Sequence, residues 1–564
     1  MSLTWILPAL TLIVNAAESG YVRPDRCRSC HVEIFESYAR TGMARSFARI
    51  ESVPLLEEWT SRFVHRASSR VYSVARRNSG FFLRRTLPDG RAAIEKQIHY
   101  VIGSGNHSRT YLHRKENGRL IELPLSWYSE NAGHWAMSPG YDRADHADFQ
   151  REIPDSCLFC HNGYPSESNG GLAAGIDCQR CHGPGEAHVE RRGPIVNPGR
   201  LPTERRMEVC LQCHLESASR TIPDSIRRYD RGPFSFRPGE PLGNFTIYFD
   251  RETSAPEESI TVNHSAYGLR QSNCFIRSAG KLLCTTCHDP HRADFGSVAE
   301  KRYMATCRSC HSSVHPERAA GCVACHMPKR RADDAVHVVI TDHNIRRTAP
   351  PSDVAAVKQE KHDRYVGPVR LYYPPALPAS PENHLYLAIA ALTDSSRLRQ
   401  AIDRLETAIE DTRPGPADFY VRLADACRQA GQRDRAMVHY RRVIEKDPQH
   451  RAGLTALAEL LLEGGQVGEA IRVLEDSLVQ SPREPVLLNS LAVAYGRESR
   501  FADAEKLVRR ALSVDEDSPL TWLNLGVCLQ AQGRNDAAAN AYRNALRLQP
   551  DFSRARVYLD QLAR

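Results

Sequence analysis

Cys284-Thr285-Thr286-Cys287-His288-Asp289-Pro290-His291 contains the pattern on which the reading of this chain turns. Two thiols three positions apart, followed at once by an imidazole, make the pentapeptide Cys-x-x-Cys-His. It occurs seven times, at Cys27–His31, Cys157–His161, Cys178–His182, Cys210–His214, Cys284–His288, Cys307–His311 and Cys322–His326. In this spacing the paired thiols add across the two vinyl groups of one haem, and the adjoining histidine becomes the proximal ligand of its iron. The thioether positions are then Cys27 and Cys30, Cys157 and Cys160, Cys178 and Cys181, Cys210 and Cys213, Cys284 and Cys287, Cys307 and Cys310, and Cys322 and Cys325. The proximal ligands are His31, His161, His182, His214, His288, His311 and His326, and the expected cofactor is covalent haem c in seven copies. Disulfides, structural zinc and thioredoxin-like pairs also use Cys-x-x-Cys, but none requires the following His, and zinc takes its ligands in fours. Cys274, Cys427 and Cys528 fall outside the motifs and read as buried, inert thiols.

Residues 1–17 read as an export signal: a short apolar core from Trp5 to Val14, then small residues for cleavage around Ala16 and Ala17. The core is too short to span a bilayer, and no Cys follows it until Cys27, so neither a transmembrane anchor nor a lipoprotein anchor is expected. Covalent haem attachment takes place outside the cytoplasmic membrane, and a periplasmic or secreted location follows from the motifs and the signal together. The formal charge of +8 invites a nucleic-acid reading. Oxidised haems with two propionates each add roughly −7 in total, which brings the loaded protein near neutrality, and no nucleic-acid partner is expected.

All seven motifs lie before residue 327, and residues 18–348 are read as one haem-binding region. Inside it, at about 60–130, the runs Arg70–Ala75, Phe81–Leu87, Ala93–Ile102 and Leu120–Leu125 alternate like strands. Turn chemistry at Pro88-Asp89-Gly90 and Glu116-Asn117-Gly118 makes them a small antiparallel insertion. Residues 349–382 are proline-rich without helical period and read as a linker. Beyond it, across 383–564, Gly431, Gly465, Ser499 and Gly533 recur every thirty-four residues, as do Ala436, Ala470, Ala504 and Ala538. That is the tetratricopeptide period, which stacks helix pairs into an all-α solenoid with a concave face, expected to fold by itself.

On Cys178-Gln179-Arg180-Cys181-His182-Gly183-Pro184-Gly185 with His188, and on Cys284 to His291, the N-terminal region resembles the multihaem cytochrome c family that includes tetrahaem electron carriers and octahaem reductases. The resemblance covers roughly residues 22–346 and implies a mainly α, haem-packed domain, here fused to the repeats. It also implies that histidines following the motifs serve as distal ligands to neighbouring haems. Geometry agrees for His291: three residues past His288, it cannot reach the opposite face of the same iron. The candidate distal ligands are His107, His188, His264, His291, His337 and His343, with Met43 as a seventh on the strength of the resemblance. His65, His99, His113, His134, His146 and His315 read as ordinary polar or buried histidines.

Two functions are weighed. The first is an exported electron carrier in which two strong ligands close every iron, with a cell-envelope redox partner docked by the repeats or self-association as their alternative use. The second is a reductase or oxidase of a small nitrogen or sulfur oxyanion at one five-coordinate haem. The chain has no Cys-x-x-Cys-Lys, the motif of ammonia-forming nitrite reductases, and electron transfer is the favoured reading.

Overall fold

In the computed structural model, which describes residues 20–165, 172–215, 225–252, 259–311, 321–347, 355–360 and 365–563, antiparallel sheets come first and a helical solenoid last. The segment expected to be an export signal lies outside the described residues. The chain is mainly helical. Its first sheets use β1 (Phe47–Arg49), β2 (Arg62–His65), β3 (Arg70–Arg77), β4 (Gly80–Thr86), β5 (Ile94–Ile98), β6 (Tyr100–Ile102), β7 (Ser108–Arg114), β8 (Leu120–Tyr128) and β9 (His134–Met137). Strands β2-β3-β4-β5 form one sheet and β1-β6-β7-β8-β9 another. His99 alone separates β5 from β6, so one run of chain passes from sheet to sheet. Tyr72, Val74, Leu83 and Ile98 of the first sheet share a core with Tyr111, Leu123, Leu125 and Trp127 of the second. The four strand-like runs of the sequence are all strands, and the unit extends further, from Phe47 to Met137. Its turns form as their residues dictate: Gly90 and Gly118 take φ of +78° and +82°, which a side chain would resist.

Around the motifs the chain forms short helices, among them Asp155–His161, Thr203–His214 and Gly296–Cys310. Two small sheets follow in the same region: β10 (Ser225–Arg227) with β11 (Thr246–Arg251), and β12 (Lys329–Arg331) with β13 (Val339–Thr341). The segment expected to be a linker contains β14 (Val369–Tyr373), which pairs antiparallel with β11. The prolines at its end, Pro374 and Pro375, stop the strand without preventing it, since β14 is an edge strand.

Helix Pro381–Ala391 opens the solenoid, with Pro381 in its first turn and Ser380 accepting a bond from the Asn383 amide. Five antiparallel pairs follow one another, from Pro381–Ala391 with Leu398–Thr412 to Pro519–Ala531 with Asn535–Leu548, and helix Ser553–Leu562 closes the stack. Ala436, Ala470, Ala504 and Ala538 are fully buried where the helices of a pair meet. Gly431, Gly465 and Gly533 end the first helix of their pairs at φ of about +73°, and Ser499 takes the same role at +60°.

Both ends of the solenoid are built into the N-terminal region. At its start, Leu385, Tyr386 and Phe419 share a core with Ile226, Ile247 and Phe249, and the Arg228 guanidinium reaches Glu382 and Asn383 at 3.1 and 2.7 Å. At its end, Leu548 is buried in the core of the β-unit and Trp522 packs against that core. The turns between repeats supply acids at nearly the repeat period. Glu484 meets Arg119 at 3.4 Å, Asp515 meets Lys115 at 2.9 Å, Asp517 meets Lys96 at 2.6 Å and Asp551 meets Arg70 at 3.1 Å. Arg85 donates to the carbonyls of Arg547 and Leu548 at 2.8 and 3.2 Å, a cation at a helix C-terminus. The solenoid therefore spans from one N-terminal sheet to another, where the repeat period alone leads one to expect a separate module.

Two outcomes follow. Ser499→Gly removes the left-handed strain of a side chain and should stabilise the repeats by about 1 kcal/mol, read as a raised denaturant midpoint. Lys96→Glu with Lys115→Glu should speed amide exchange across Phe501–Leu548, because two largely buried ion pairs are each lost at a cost of roughly 1–3 kcal/mol; unchanged exchange would show that the turns do not hold the β-unit.

Candidate functional site

One helical turn builds each motif. The backbone N–H of His182 donates to the Cys178 carbonyl at 2.9 Å, that of His288 to Cys284 at 2.9 Å and that of His311 to Cys307 at 3.0 Å. Residues i, i+3 and i+4 of such a turn share a face, so both thiols and the imidazole point to one side.

Three of the motif histidines stand opposite a histidine that follows a different motif. The ring centres of His31 and His188 are 6.4 Å apart with planes inclined by 12°, those of His182 and His291 are 6.0 Å apart at 21°, and those of His288 and His343 are 6.2 Å apart at 35°. Two imidazoles bound across one metal, each nitrogen at about 2 Å and each ring centre about 1 Å beyond it, would have centres about 6 Å apart. The pockets thus fit the group the motifs imply. Backbone carbonyls fix which nitrogen faces inward. The Nδ1–H groups of His182, His326 and His343 are held by the carbonyls of Val196 at 2.8 Å, Arg346 at 2.6 Å and Thr341 at 3.0 Å, which leaves Nε2 for a metal. Burial pushes the imidazoles of His264 and His288 down to about 4 and lowers those of His107, His161, His182, His214 and His343. Burial thus favours the uncharged ring, the state that binds iron.

The motifs also touch one another. Cys27 faces Cys178, Cys160 faces Cys213, Cys210 faces Cys284 and Cys307 faces Cys322. Cys181 lies within electrostatic reach of Cys213, and Cys287 of Cys307. All seven motifs are linked by these neighbours.

The other candidates lie elsewhere. His264 is buried beside Tyr267 at 5.1 Å and close to His343. His107 bonds the Val339 backbone near Lys329. His337 contacts Asp142 at 3.6 Å, Tyr128 at 5.1 Å and His134 at 6.3 Å, all in or beside the β-unit, and is not brought to a motif histidine. Met43 is not brought to His31, whose ring faces His188; Ser46 bonds the carbonyls of both Met43 and His161 at 2.7 Å, which sets the Met43 turn beside the second motif. His146 is structural: Arg70 reaches its ring at 3.0 Å, Tyr72 at 3.2 Å, and Asp148 binds Tyr72 and Arg85. Cys427 and Cys528 are buried, and burial pushes both thiols up to about 11, while Cys274 is partly exposed. Sequence reasoning missed the acids of the repeat turns and the aromatic surroundings of Arg180, because neither has a spacing of its own.

A doubled CXXCH motif model matches residues 277–316, and tetratricopeptide repeat models match 386–450, 428–492 and 519–552. The C-terminal part is a tetratricopeptide solenoid, and the Cys-x-x-Cys-His motifs imply covalent haem c. The chain is similar to the human protein called tetratricopeptide repeat protein 7B, at 26% identity over 28% of this chain and 20% of that one. It is also similar to the multiheme cytochrome MtrA of Shewanella baltica, at 24% identity over 28% of this chain and 52% of the relative. The chain spans about a fifth of the length of the first repeat-bearing relatives. A thermophilic TPR protein of Thermus thermophilus aligns over 33% of this chain and 99% of its own at 21% identity, with a TM-score of 0.27. No helix among the described residues is long and apolar enough to cross a membrane.

A pH dependence follows from the buried rings outside the pairs. Burial lowers His146 to about 3 and His113 to about 4, below the value of about 6.5 for a free imidazole. The unfolded chain therefore takes up protons first as pH falls, so stability present above pH 6.5 is lost progressively toward pH 3 to 4. Fluorescence of Trp59 and Trp127 in the β-unit core should report a lower denaturant midpoint at pH 5 than at pH 7.5, and a smaller difference in His146→Gln.

Proposed function

We propose that the chain is an exported multihaem cytochrome c that carries electrons through seven covalently held haems, located in the periplasm or outside the cell. The observation that carries this reading is the set of three imidazole pairs at the spacing of two ligands across one metal, each joining a motif histidine to one from beyond another motif. Each haem supplies a one-electron iron couple; the chain supplies its tether and ligands. His188, His291 and His343 are assigned as distal ligands at motifs one, three and five, where two imidazoles close the iron to substrates and favour electron transfer over oxyanion reduction. His107, His264, His337 and Met43 remain the candidates for the other irons. The neighbouring thiols support a connected, branched arrangement in which motif one adjoins three, motifs two, three and five adjoin four, and six and seven continue from five.

The residues assigned to the region 18–348 complete one another across the chain, and that region is taken as one functional unit. The repeats are assigned a docking role for a redox partner of the cell envelope, on the solenoid surface that the β-unit leaves free.

Intact mass and electron paramagnetic resonance of protein matured in an exporting host test the proposal. Seven haems are expected, and His291→Ala should convert one low-spin iron to high spin. A mass showing fewer haems overturns the count, and an unchanged spectrum in His291→Ala overturns the ligand assignment.

A further inference from the structure

Arg180 is the second variable residue of the third motif, and its side chain turns into the protein rather than to solvent: it is 1% exposed. Its guanidinium carbon lies 4.2 Å from the ring centre of Phe159, 5.0 Å from that of Tyr164 and 5.4 Å from that of Phe234. Nη2 donates to the Phe159 carbonyl at 2.8 Å, while Nε and Nη1, closed off from solvent, have no oxygen or nitrogen acceptor among the described residues, and the guanidinium lies beside the Cys213 thiol. A buried charge is ordinarily paired with a carboxylate. Among the described residues Arg180 has no carboxylate within 4 Å; the buried Asp177 feels its charge from farther off and accepts from the backbone N–H of Gln179 at 2.8 Å. The three aromatic faces compensate the cation only in part. Around the cage lie Cys160, Cys181 and Cys213, attachment points of motifs two, three and four.

We propose that Arg180 is a fixed positive charge that raises the reduction potentials of the haems held at motifs two, three and four. The inference rests on the haem loading proposed above and deepens it. Oxidation of an iron adds one positive charge, and a cation held nearby in a medium of low polarity opposes that addition and favours the ferrous state. Arginine does not discharge by losing a proton. At 1% exposure the guanidinium is screened little by bulk water or salt.

The test compares Arg180→Gln with Arg180→Lys in the holoprotein, after intact mass has shown that each retains the wild-type haem count. A redox titration followed by absorbance should show up to three midpoint potentials displaced to more negative values in Arg180→Gln. They should stay near the wild-type values in Arg180→Lys, which keeps the charge. Superimposable titrations of wild type and Arg180→Gln overturn the proposal, and equal displacement in both variants overturns it as well, since packing and not charge would be the cause. If Arg180→Gln does not load, Arg180→Met, long and uncharged, takes its place: a negative displacement supports the proposal and none overturns it. Too few haems in the wild type would strike the loading itself, and mass reads that separately.

Discussion

An imidazole that follows its own motif by a few residues cannot cross to the far side of the iron that motif holds, and most of the N-terminal architecture answers that constraint. His31 is met from beyond motif three, His182 from beyond motif five and His288 from beyond motif seven. Each pairing ties segments over a hundred or over fifty residues apart, so the region closes through its candidate metal centres rather than through one large apolar core. The short helices, the carbonyls of Val196, Arg346 and Thr341, and the burial that disfavours charge on His182, His288 and His343 all serve that closure.

The solenoid adds a second closure. Its first helices complete the core beneath β10 and β11, and its last turns grip the β-unit through acids that recur because the repeats recur. A surface used in many repeat proteins for other chains is here partly turned on its own. The β-unit, otherwise an insertion between motifs one and two, is thereby held at both its haem-proximal and its repeat-proximal sides: Ser46 bonds the backbone of His161, and Arg85 bonds the end of helix Asn535–Leu548. This leaves the remaining faces of the solenoid as the place to look for a partner.

Much of this was legible in the chain. The motifs are local, and the chemistry of Cys-x-x-Cys-His does not depend on what surrounds it; the repeat period is carried by small residues that must pack, and the strand runs by alternation. His188, His291 and His343 were legible as candidates, but the partner of each was not, because pairing is set by three-dimensional folding and leaves no spacing behind. His337 shows the limit: it stands six residues before His343 in the same stretch beyond the seventh motif, yet it lies against Asp142 and Tyr128 while His343 faces His288. Strand β14 was hidden by neighbouring prolines that an edge strand tolerates. The ion pairs of the repeat turns were hidden because Asp515, Asp517 and Asp551 look like any solvated turn residues.

The central claim is that the seven motifs form one connected electron path. Protein-film voltammetry of the holoprotein adsorbed on an electrode tests it most directly, by comparing the charge passed at fast and slow scan rates. A connected arrangement predicts the full charge of seven electrons per molecule at both rates. A fast scan that reaches only some of the haems, with the rest responding at slow scan alone, would contradict it.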